Sequence, residues 1–455
     1  MAHLSAVWTP ASRGGIVGAM HTPPDGRPLA GPEDFLRRID QAVPLNFCVV
    51  AEVEGPLTDR ALRVGLKALQ ARHPLLRVGF STEPVPAFVP LDQPLPFDVC
   101  VQPEPAWTGA IVDELKRRFG EGPLAHLLWI RHGDARSRVV LTFHHAINDG
   151  HGGMYALRDL LSAAAAELAG QAVAATSLPL PPPITARIPR RIKGLRAISR
   201  SSPSPLRDLG RLIRQGSAGA SCPRPLRCRQ PDAACGGAHP GRGEHPAAWK
   251  AGAAGGRRPS MAPCSRRSGR RWQPERGRPV TPGARLTSGS AAAPAGPPSR
   301  RWGSSSAWSP RPAASSGRRA LGLARRLRAD VKSDADRGLA VLFHGLMGWL
   351  DRWWRRGGAD ARTVARRLYH FVPACAGITN LGRLSLPDRY GPLAVRSQMF
   401  FVHPSALGDL VGTAASFGGA LHLNLSAMAP AVSPPRAQAL ADAMVARLQA
   451  ACEDP

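Results

Sequence analysis

Two adjacent histidines precede an aspartate and a glycine in the stretch His144-His145-Ala146-Ile147-Asn148-Asp149-Gly150. A neutral imidazole accepts a proton near pH 7, and such general-base catalysis contributes roughly 10² to 10⁴ in rate. We expect a strand to deliver His145 into a tight turn closed by Asp149, with Gly150, Gly152 and Gly153 allowing a sharp turn and leaving room for a substrate. The pattern predicts a base at the edge of a cleft.

Two other interpretations of these residues stay open. A histidine near a strand end is commonly an ordinary core or surface residue. A metal site built from His144, His145, Asp149 and His151 is disfavoured, because adjacent residues on a strand point to opposite faces and do not readily bind one ion.

Several elements are expected to position this stretch. Apolar runs over 125–131 and 138–144 predict an antiparallel hairpin whose second strand leads into the histidines. Periodic leucines predict a helix over 153–168. Before the hairpin, the sequence predicts a strand over 46–54, a helix after Thr58 ended by Pro74, and a helix over 108–120 with Gly120 as its cap. Near the C-terminus it predicts a helix over 339–356 and strands over 400–404 and 420–428. A final helix is capped by Ser433, and its residues expected to face inward are Leu440, Met444, Val445 and Leu448.

The chain divides by composition. Residues 1–30 are interpreted as a poorly ordered lead-in or a misplaced start, and 31–177 as an N-terminal lobe. A linker and crossover between lobes is expected over 178–220. A basic segment follows over 221–320, and 321–455 is expected to form the remainder of a C-terminal lobe. At 455 residues, the chain is long enough for two cores.

The basic segment carries 19 Lys plus Arg against 3 Asp plus Glu, so it holds more than half of the net charge of +28. Its only Leu, Ile, Val or Phe residues are Leu226, Val280 and Leu286. Such a composition cannot offset the entropy of ordering. It fits a disordered insertion, a nucleic-acid-binding arm or, our preferred hypothesis, an out-of-frame translation of GC-rich DNA. Thinly spaced aromatic residues argue against nucleic acid.

The remaining sequence features point to a cytoplasmic protein. Cys222, Cys228, Cys235 and Cys264 follow no zinc spacing, and no disulfide framework is indicated. The N-terminus shows no signal peptide, and the longest apolar run, 339–350, contains His344 and is too short to span a membrane.

The histidine stretch resembles the H-H-x-x-x-D-G signature of condensation domains of nonribosomal peptide synthetases and of polyketide-associated acyltransferases. Upstream, Ala71-Arg72-His73-Pro74-Leu75-Leu76-Arg77-Val78-Gly79-Phe80 resembles the R-H-x-x-L-R-x-x-F block of that superfamily, and Ile378-Thr379-Asn380-Leu381-Gly382-Arg383-Leu384 is similar to its S-N-x-G strand. The resemblance covers 33–175 and 320–452. It implies an α/β fold (an α+β sandwich) of two chloramphenicol-acetyltransferase-like lobes with a tunnel between them, the second lobe incomplete.

The resemblance also implies roles for individual residues. His145 would deprotonate the acceptor, and Asp149 would be structural, with Arg77 as our hypothesis for its partner. Gly150 would permit the approach of substrate, and His144 would pack behind the loop. Asn380 would orient the lobe interface or be an ordinary polar residue at a strand end.

The activity implied is transfer of an acyl group from a thioester, acyl-CoA or acyl carrier protein, to a hydroxyl or amine, with a mild preference for alcohols. We expect no bound cofactor or metal, no nucleic acid and no membrane span, a stand-alone monomer, and an acyl carrier protein as a possible partner. The alternatives are a peptide-bond-forming condensation protein, an inactive frameshifted relative or, least favoured, a basic nucleic-acid-binding protein. With the basic segment as written, we predict a damaged second lobe and weak or absent activity.

Overall fold

The protein is described by a computed structural model. The described residues are 26–83, 85–102, 107–133, 135–173, 175–183, 186, 247–251, 284–289, 306–309, 328–329, 352–353, 356–371, 376–404, 408–429 and 431–453. The predicted helix over 339–356 lies almost wholly outside them.

A six-stranded sheet forms the centre of the first lobe. Its strands, in chain order, are β2 (Asn46–Glu54), β5 (Phe97–Val101), β6 (Ala125–Arg131), β7 (Arg136–His144), β12 (Arg389–Tyr390) and β13 (Leu393–Val402). The spatial order is β12-β13-β2-β7-β6-β5. Eight of the nine residues of β2 are buried, which explains its apolar run from Phe47 to Ala51, because both faces of a central strand are covered.

Helices cover both faces of this sheet. On one face, α2 (Asp59–Arg72) and α4 (Gly150–Leu168) pack over a core that contains Phe47, Val49 and Leu141. On the other face, α3 (Trp107–Lys116) packs over Cys48, Val50 and other buried residues. Helix α1 (Gly31–Ala42) packs on α5 (Ala361–Phe371) through a separate apolar cluster. Strands β1 (Arg27–Pro28), β3 (Val78–Ser81) and β4 (Ala87–Pro90) form a small antiparallel sheet.

A second six-stranded sheet belongs to the second lobe. Its strands are β8 (Ala247–Ala251), β9 (Ala284–Gly289), β10 (Ser306–Ser309), β11 (Ala376–Arg383), β14 (Leu410–Phe417) and β15 (Ala420–Ala427), in the order β10-β9-β11-β14-β15-β8. The final helix, α6 (Pro434–Glu453), buries Ala437 and Ala441 against Leu425 and Ala427. The mixed α/β fold with two large sheets is the predicted one.

The local predictions hold best in the first lobe. Strand β2 and the hairpin β6–β7 are confirmed, and the Thr58 side chain caps α2 by accepting a hydrogen bond from the Ala61 N–H at 3.2 Å. Helix α3 ends at Lys116 rather than at Gly120, so Gly120 is not its cap. Gly120 instead takes a left-handed φ of 60° in the turn that follows.

Two sequence-based expectations about the C-terminal half are wrong, and the basic segment shows short strands that its composition does not predict. Strands β12 and β13, assigned to the second lobe, complete the first sheet, where β13 pairs with β2. Leu440 and Leu448 are exposed on α6, because Ala437 and Ala441 occupy its buried face instead, whereas Val445 packs against the same apolar cluster as predicted. The basic segment contributes β8, β9 and β10 to the second sheet, since main-chain ladder hydrogen bonds do not require apolar side chains.

Candidate functional site

The histidine stretch lies where β7 leaves the first sheet. His144 is the last residue of β7 and pairs with Asn46 of β2. The His145 N–H donates to the Leu45 carbonyl at 3.0 Å, and the Ile147 N–H donates to the His144 carbonyl at 3.2 Å. Helix α4 then begins at Gly150. At the other end of the loop 145–149, the Asp149 carbonyl accepts from the Gly153 N–H at 2.8 Å, so main-chain hydrogen bonds hold both ends.

His145 presents one ring nitrogen to the site. Its Nδ1 lies 3.1 Å from the carbonyl oxygen of Asn148, and a carbonyl oxygen only accepts hydrogen bonds. Nδ1 therefore carries the proton of the neutral ring, and Nε2 carries the lone pair. The ring packs against Phe47, with 5.2 Å between centroids, and the residue is only partly buried. This is the arrangement that a general base requires.

His144 lies behind the loop in an apolar setting. It is 1% exposed and lies between the rings of Phe80 and Phe119. Its Nδ1 accepts a hydrogen bond from the Ala146 N–H at 3.0 Å. Burial lowers the pKa of His144 to about 3, and the neighbouring His145 acts in the same direction. His144 is therefore neutral near pH 7 and shapes the turn.

Asp149 caps helix α4. Its Oδ1 accepts a hydrogen bond from the Gly152 N–H at 2.8 Å, which satisfies one of the unpaired donors of the first turn. Arg77 is exposed, and its Nη2 donates to the Ser177 hydroxyl at 3.2 Å. The predicted Arg77–Asp149 ion pair is wrong, because the buried carboxylate serves the helix and no hydrogen bond or ion pair joins the two described side chains.

The glycines of the stretch serve packing within the protein. A Cβ on Gly150 would lie 2.8 Å from Leu381 Cδ2, and a Cβ on Gly153 would lie 2.9 Å from both Phe47 Cε2 and Val49 Cγ1. Neither glycine has a positive φ. Leu381 fills the space into which a Gly150 side chain would point, and the role of Gly150 in the approach of substrate stays a prediction.

Strand β11 meets this end of α4 from the second lobe. The His151 Nε2–H donates to the Leu381 carbonyl at 3.2 Å, and Leu381 is buried in the core of the first lobe. Asn380 is exposed, and its Oδ1 accepts from the Gly382 N–H at 2.7 Å across a shift in the strand register. Asn380 therefore shapes the bulge that turns Leu381 toward α4.

Sequence reasoning did not identify three residues that hold the site. Asn148 supplies the carbonyl that fixes the tautomer of His145, and Leu381 and His151 join the lobes. The carbonyl contribution of Asn148 carries no signal in its residue type, although its side-chain Oδ1 also accepts from the Asp149 N–H at 3.0 Å. Leu381 carries a usable signal, because it is the apolar residue inside the Asn380-Leu381-Gly382 block.

The Arg72-His73 block is anchored to the middle of α4. Asp159 accepts hydrogen bonds from Arg72 Nε and His73 Nε2, both at 3.0 Å, and from Arg158 Nε at 2.9 Å. Burial opposes ionisation of Asp159, but the hydrogen bonds from His73 and Arg158 lower its pKa to about 2. This network fixes α4, and with it Asp149, against the end of α2.

The described residues show neither a metal-binding cluster nor a membrane-spanning helix. Within the ranges given above, no three His, Cys, Asp or Glu side chains are grouped as metal ligands would be. In the same part of the chain, none of the helices is both long and apolar enough to cross a bilayer.

Comparison with known proteins shows the fold. The sequence matches no protein-family model, and no curated protein matches it significantly. The structure is similar to the first condensation domain of the CDA synthetase (TM-score 0.55, 14% identity, 95% of this chain and 97% of that chain covered). It is also similar to polyketide synthase associated protein 5 from Mycobacterium tuberculosis (TM-score 0.51, 14% identity, 94% and 98% covered).

A third similar structure is a mutant of the starter condensation domain of rhizomide synthetase in complex with C8-CoA and Leu-SNAC (TM-score 0.51, 11% identity, 94% of this chain and 95% of that chain covered). The chain thus has the fold of condensation domains and of a polyketide-associated protein, as the three sequence blocks predict.

Proposed function

We propose that the protein is an acyltransferase that moves an acyl group from a thioester to a hydroxyl or amine acceptor, with His145 as general base. The observation that carries this proposal is the hydrogen bond from His145 Nδ1 to the Asn148 carbonyl, which leaves the Nε2 lone pair for the acceptor proton. The fold of the solved neighbours supports the same class of chemistry.

The reaction follows from this geometry. As the acceptor oxygen or nitrogen attacks the thioester carbonyl carbon, Nε2 takes its proton and the carbonyl oxygen becomes an oxyanion. Collapse of the tetrahedral intermediate breaks the carbon–sulfur bond. The thiolate leaves with the proton that His145 accepted, so the imidazole returns to its neutral form.

The donor in this proposal is acyl-CoA or an acyl carrier protein. The similar starter domain is described in complex with C8-CoA and Leu-SNAC, so a fold of this kind accommodates an acyl thioester together with an aminoacyl thioester. We propose that this chain acts on thioesters without a bound cofactor, as a monomer, and that Asp149 maintains the loop through its cap on α4.

Peptide-bond formation is a second candidate. Two of the three solved neighbours described above are condensation domains, which favours an amine acceptor, whereas the third is a polyketide synthase associated protein. The two candidates share His145 as the base and differ in the acceptor. They are therefore distinguished by product analysis alone.

The test is turnover of octanoyl-CoA with 1-octanol or leucine amide as acceptor, followed by mass spectrometry of the products. We expect His145→Ala to lower kcat by about 10² to 10⁴. His132→Ala is the matched control, because His132 lies at the other end of β7, about 26 Å from His144, and should leave turnover unchanged.

Equal turnover by wild type and His145→Ala would refute the proposal. Absence of turnover in the wild type, with a cooperative unfolding transition intact, would instead favour the inactive frameshifted relative.

A further inference from the structure

A buried carboxylate lies behind the histidine stretch. Asp40 belongs to the last turn of α1, and only 8% of its surface is exposed. A carboxylate at this end of a helix is electrostatically unfavourable, because the C-terminal end of the helix carries a partial negative charge. Arg118 offsets part of this cost by donating to the Asp40 and Ala42 carbonyls. Those bonds involve only the main chain of α1, so they do not account for the buried carboxylate.

Each oxygen of this carboxylate faces a different residue beside the catalytic base. Oδ1 accepts a hydrogen bond from the Leu45 N–H at 2.7 Å. The Leu45 carbonyl in turn accepts from the His145 N–H at 3.0 Å. The other oxygen, Oδ2, lies 3.8 Å from Nε2 of His144. Asp40 therefore contacts the residues that hold the main chain of His145.

The ring of His144 links the two residues on either side of the base. Its Nδ1 accepts from the Ala146 N–H at 3.0 Å, so the neutral ring carries its proton on Nε2. This Nε2–H has no hydrogen-bond partner within the described part of the chain, and 3.8 Å is longer than a direct hydrogen bond. The ring is buried between Phe80 and Phe119. In such surroundings a carboxylate attracts the N–H dipole at this distance, because little solvent screens the field.

We infer that Asp40 is a positioning residue for the proposed acyl transfer, because its carboxylate holds the His144 ring in the orientation and tautomer that accept the Ala146 N–H. The inference rests on the proposed role of His145 as general base. With the His144 ring on one side and the Leu45 carbonyl on the other, the main chain of the base is fixed, and its Nε2 keeps its direction. A side chain that only donates could not replace the carboxylate, because the Nε2–H of His144 requires an acceptor.

The substitution Asp40→Asn separates the two contacts of the carboxylate. The amide oxygen can keep the hydrogen bond from the Leu45 N–H, which directs the NH₂ group toward His144. An amide NH₂ only donates, so it meets the Nε2–H of His144 as a second donor. The ring is then expected to carry its proton on Nδ1, because Nε2 can accept from the amide in that tautomer. The hydrogen bond from the Ala146 N–H is lost as a result.

Nitrogen NMR of the unliganded full chain labelled at histidine, together with steady-state kinetics, tests the inference. The imidazole nitrogen shifts distinguish the two neutral tautomers, and the signals of His144 are those missing from His144→Gln. We expect the Nε2–H tautomer in the wild type and the Nδ1–H tautomer in Asp40→Asn. In the octanoyl-CoA assay, Asp40→Asn should lower kcat about tenfold to hundredfold and leave KM within about twofold, because the base is displaced and substrate binding is not.

Asp113→Asn is the matched control on an exposed aspartate of α3 and should change neither the tautomer nor kcat. An Nε2–H tautomer that persists in Asp40→Asn would overturn the inference, even with a lowered kcat. If Asp40→Asn fails to fold, the wild type decides the question, since the Nε2–H tautomer of His144 would support the inference and the Nδ1–H tautomer would overturn it.

The tautomer measurement requires no turnover. Its failure is therefore distinct from failure of the proposed function, which is seen as equal turnover by the wild type and His145→Ala.

Discussion

The contact between Gly150 and Leu381 can be used to test how the two lobes position the loop 145–149. Replacing Gly150 with alanine puts a methyl group 2.8 Å from Leu381 Cδ2 and 3.3 Å from Cδ1. Leu381 has little freedom to retreat, because it is 7% exposed and its carbonyl accepts from His151.

The expected magnitude is the difference of two effects. Overpacking of a core contact costs about 1–3 kcal/mol. Replacement of a helical glycine with alanine gains up to about 1 kcal/mol. We therefore expect Gly150→Ala to lower the free energy of unfolding by about 1–2 kcal/mol, and to lower turnover because α4 and the loop before it shift.

Urea denaturation measures the effect, and Gly109→Ala is the matched control. Gly109 is an exposed glycine of α3 whose added Cβ would contact nothing within 4 Å, so alanine should stabilise the protein there. Leu381→Ala completes a double-mutant cycle. In that background Gly150→Ala should no longer destabilise, giving a coupling energy of about 1–3 kcal/mol. If Gly150→Ala is as stabilising as Gly109→Ala, the lobe contact described above does not exist.

Three further predictions concern the surroundings of the loop. Asp149→Ala should lower the free energy of unfolding by about 1 kcal/mol in urea denaturation, whereas Asp149→Asn, which keeps a cap for Gly152, should cost much less. Burial would raise the pKa of Glu114, but hydrogen bonds outweigh it and lower the pKa to about 2. The contribution of Glu114 to the free energy of unfolding is therefore complete above pH 4.5 and is lost as the pH falls toward 2. Glu114→Gln should flatten this part of a profile of unfolding free energy against pH. Arg77→Ala should leave kcat/KM within about twofold of the wild-type value, because Arg77 contacts Ser177 rather than the site. A larger loss would show that Arg77 does contribute to the site.

The elements that could be predicted are those with local signals. The strand β2, the hairpin β6–β7 and the capped start of α2 each carry their pattern within a few residues. The position of His145 after β7 follows from that hairpin. The role of Asn148 could not be predicted, because a main-chain carbonyl is available at every residue and only the turn geometry selects this one.

Contacts between distant parts of the chain were not predictable in the same way. The pairing of β13 with β2 joins residues more than 300 positions apart, and nothing in the sequence of 393–402 specifies its partner strand. The inward face of α6 was predicted only in part for a related reason, since Val445 packs inward but Leu440 and Leu448 are exposed. Leucines usually mark the buried face, but here Ala437 and Ala441 are the residues buried against Leu425 and Ala427, and the helix sequence alone does not show which face meets the partner sheet.

In the basic segment, the local composition and the long-range strand pairing lead to opposite expectations. Three short strands from it extend the second sheet on both sides, with β9 and β10 beyond β11 and β8 beyond β15. Ladder hydrogen bonds between main chains account for this pairing, but a sheet edge also needs apolar side chains to cover its face. A segment with only three Leu, Ile, Val or Phe residues supplies few of them. If the out-of-frame hypothesis is correct, translation of the other two frames across codons 215–325 will give apolar alternation at the positions of β8, β9 and β10, and the corrected chain will be the one with full acyltransferase activity. If neither frame shows that alternation, the segment is genuine, and the second lobe depends on main-chain pairing at both of its edges.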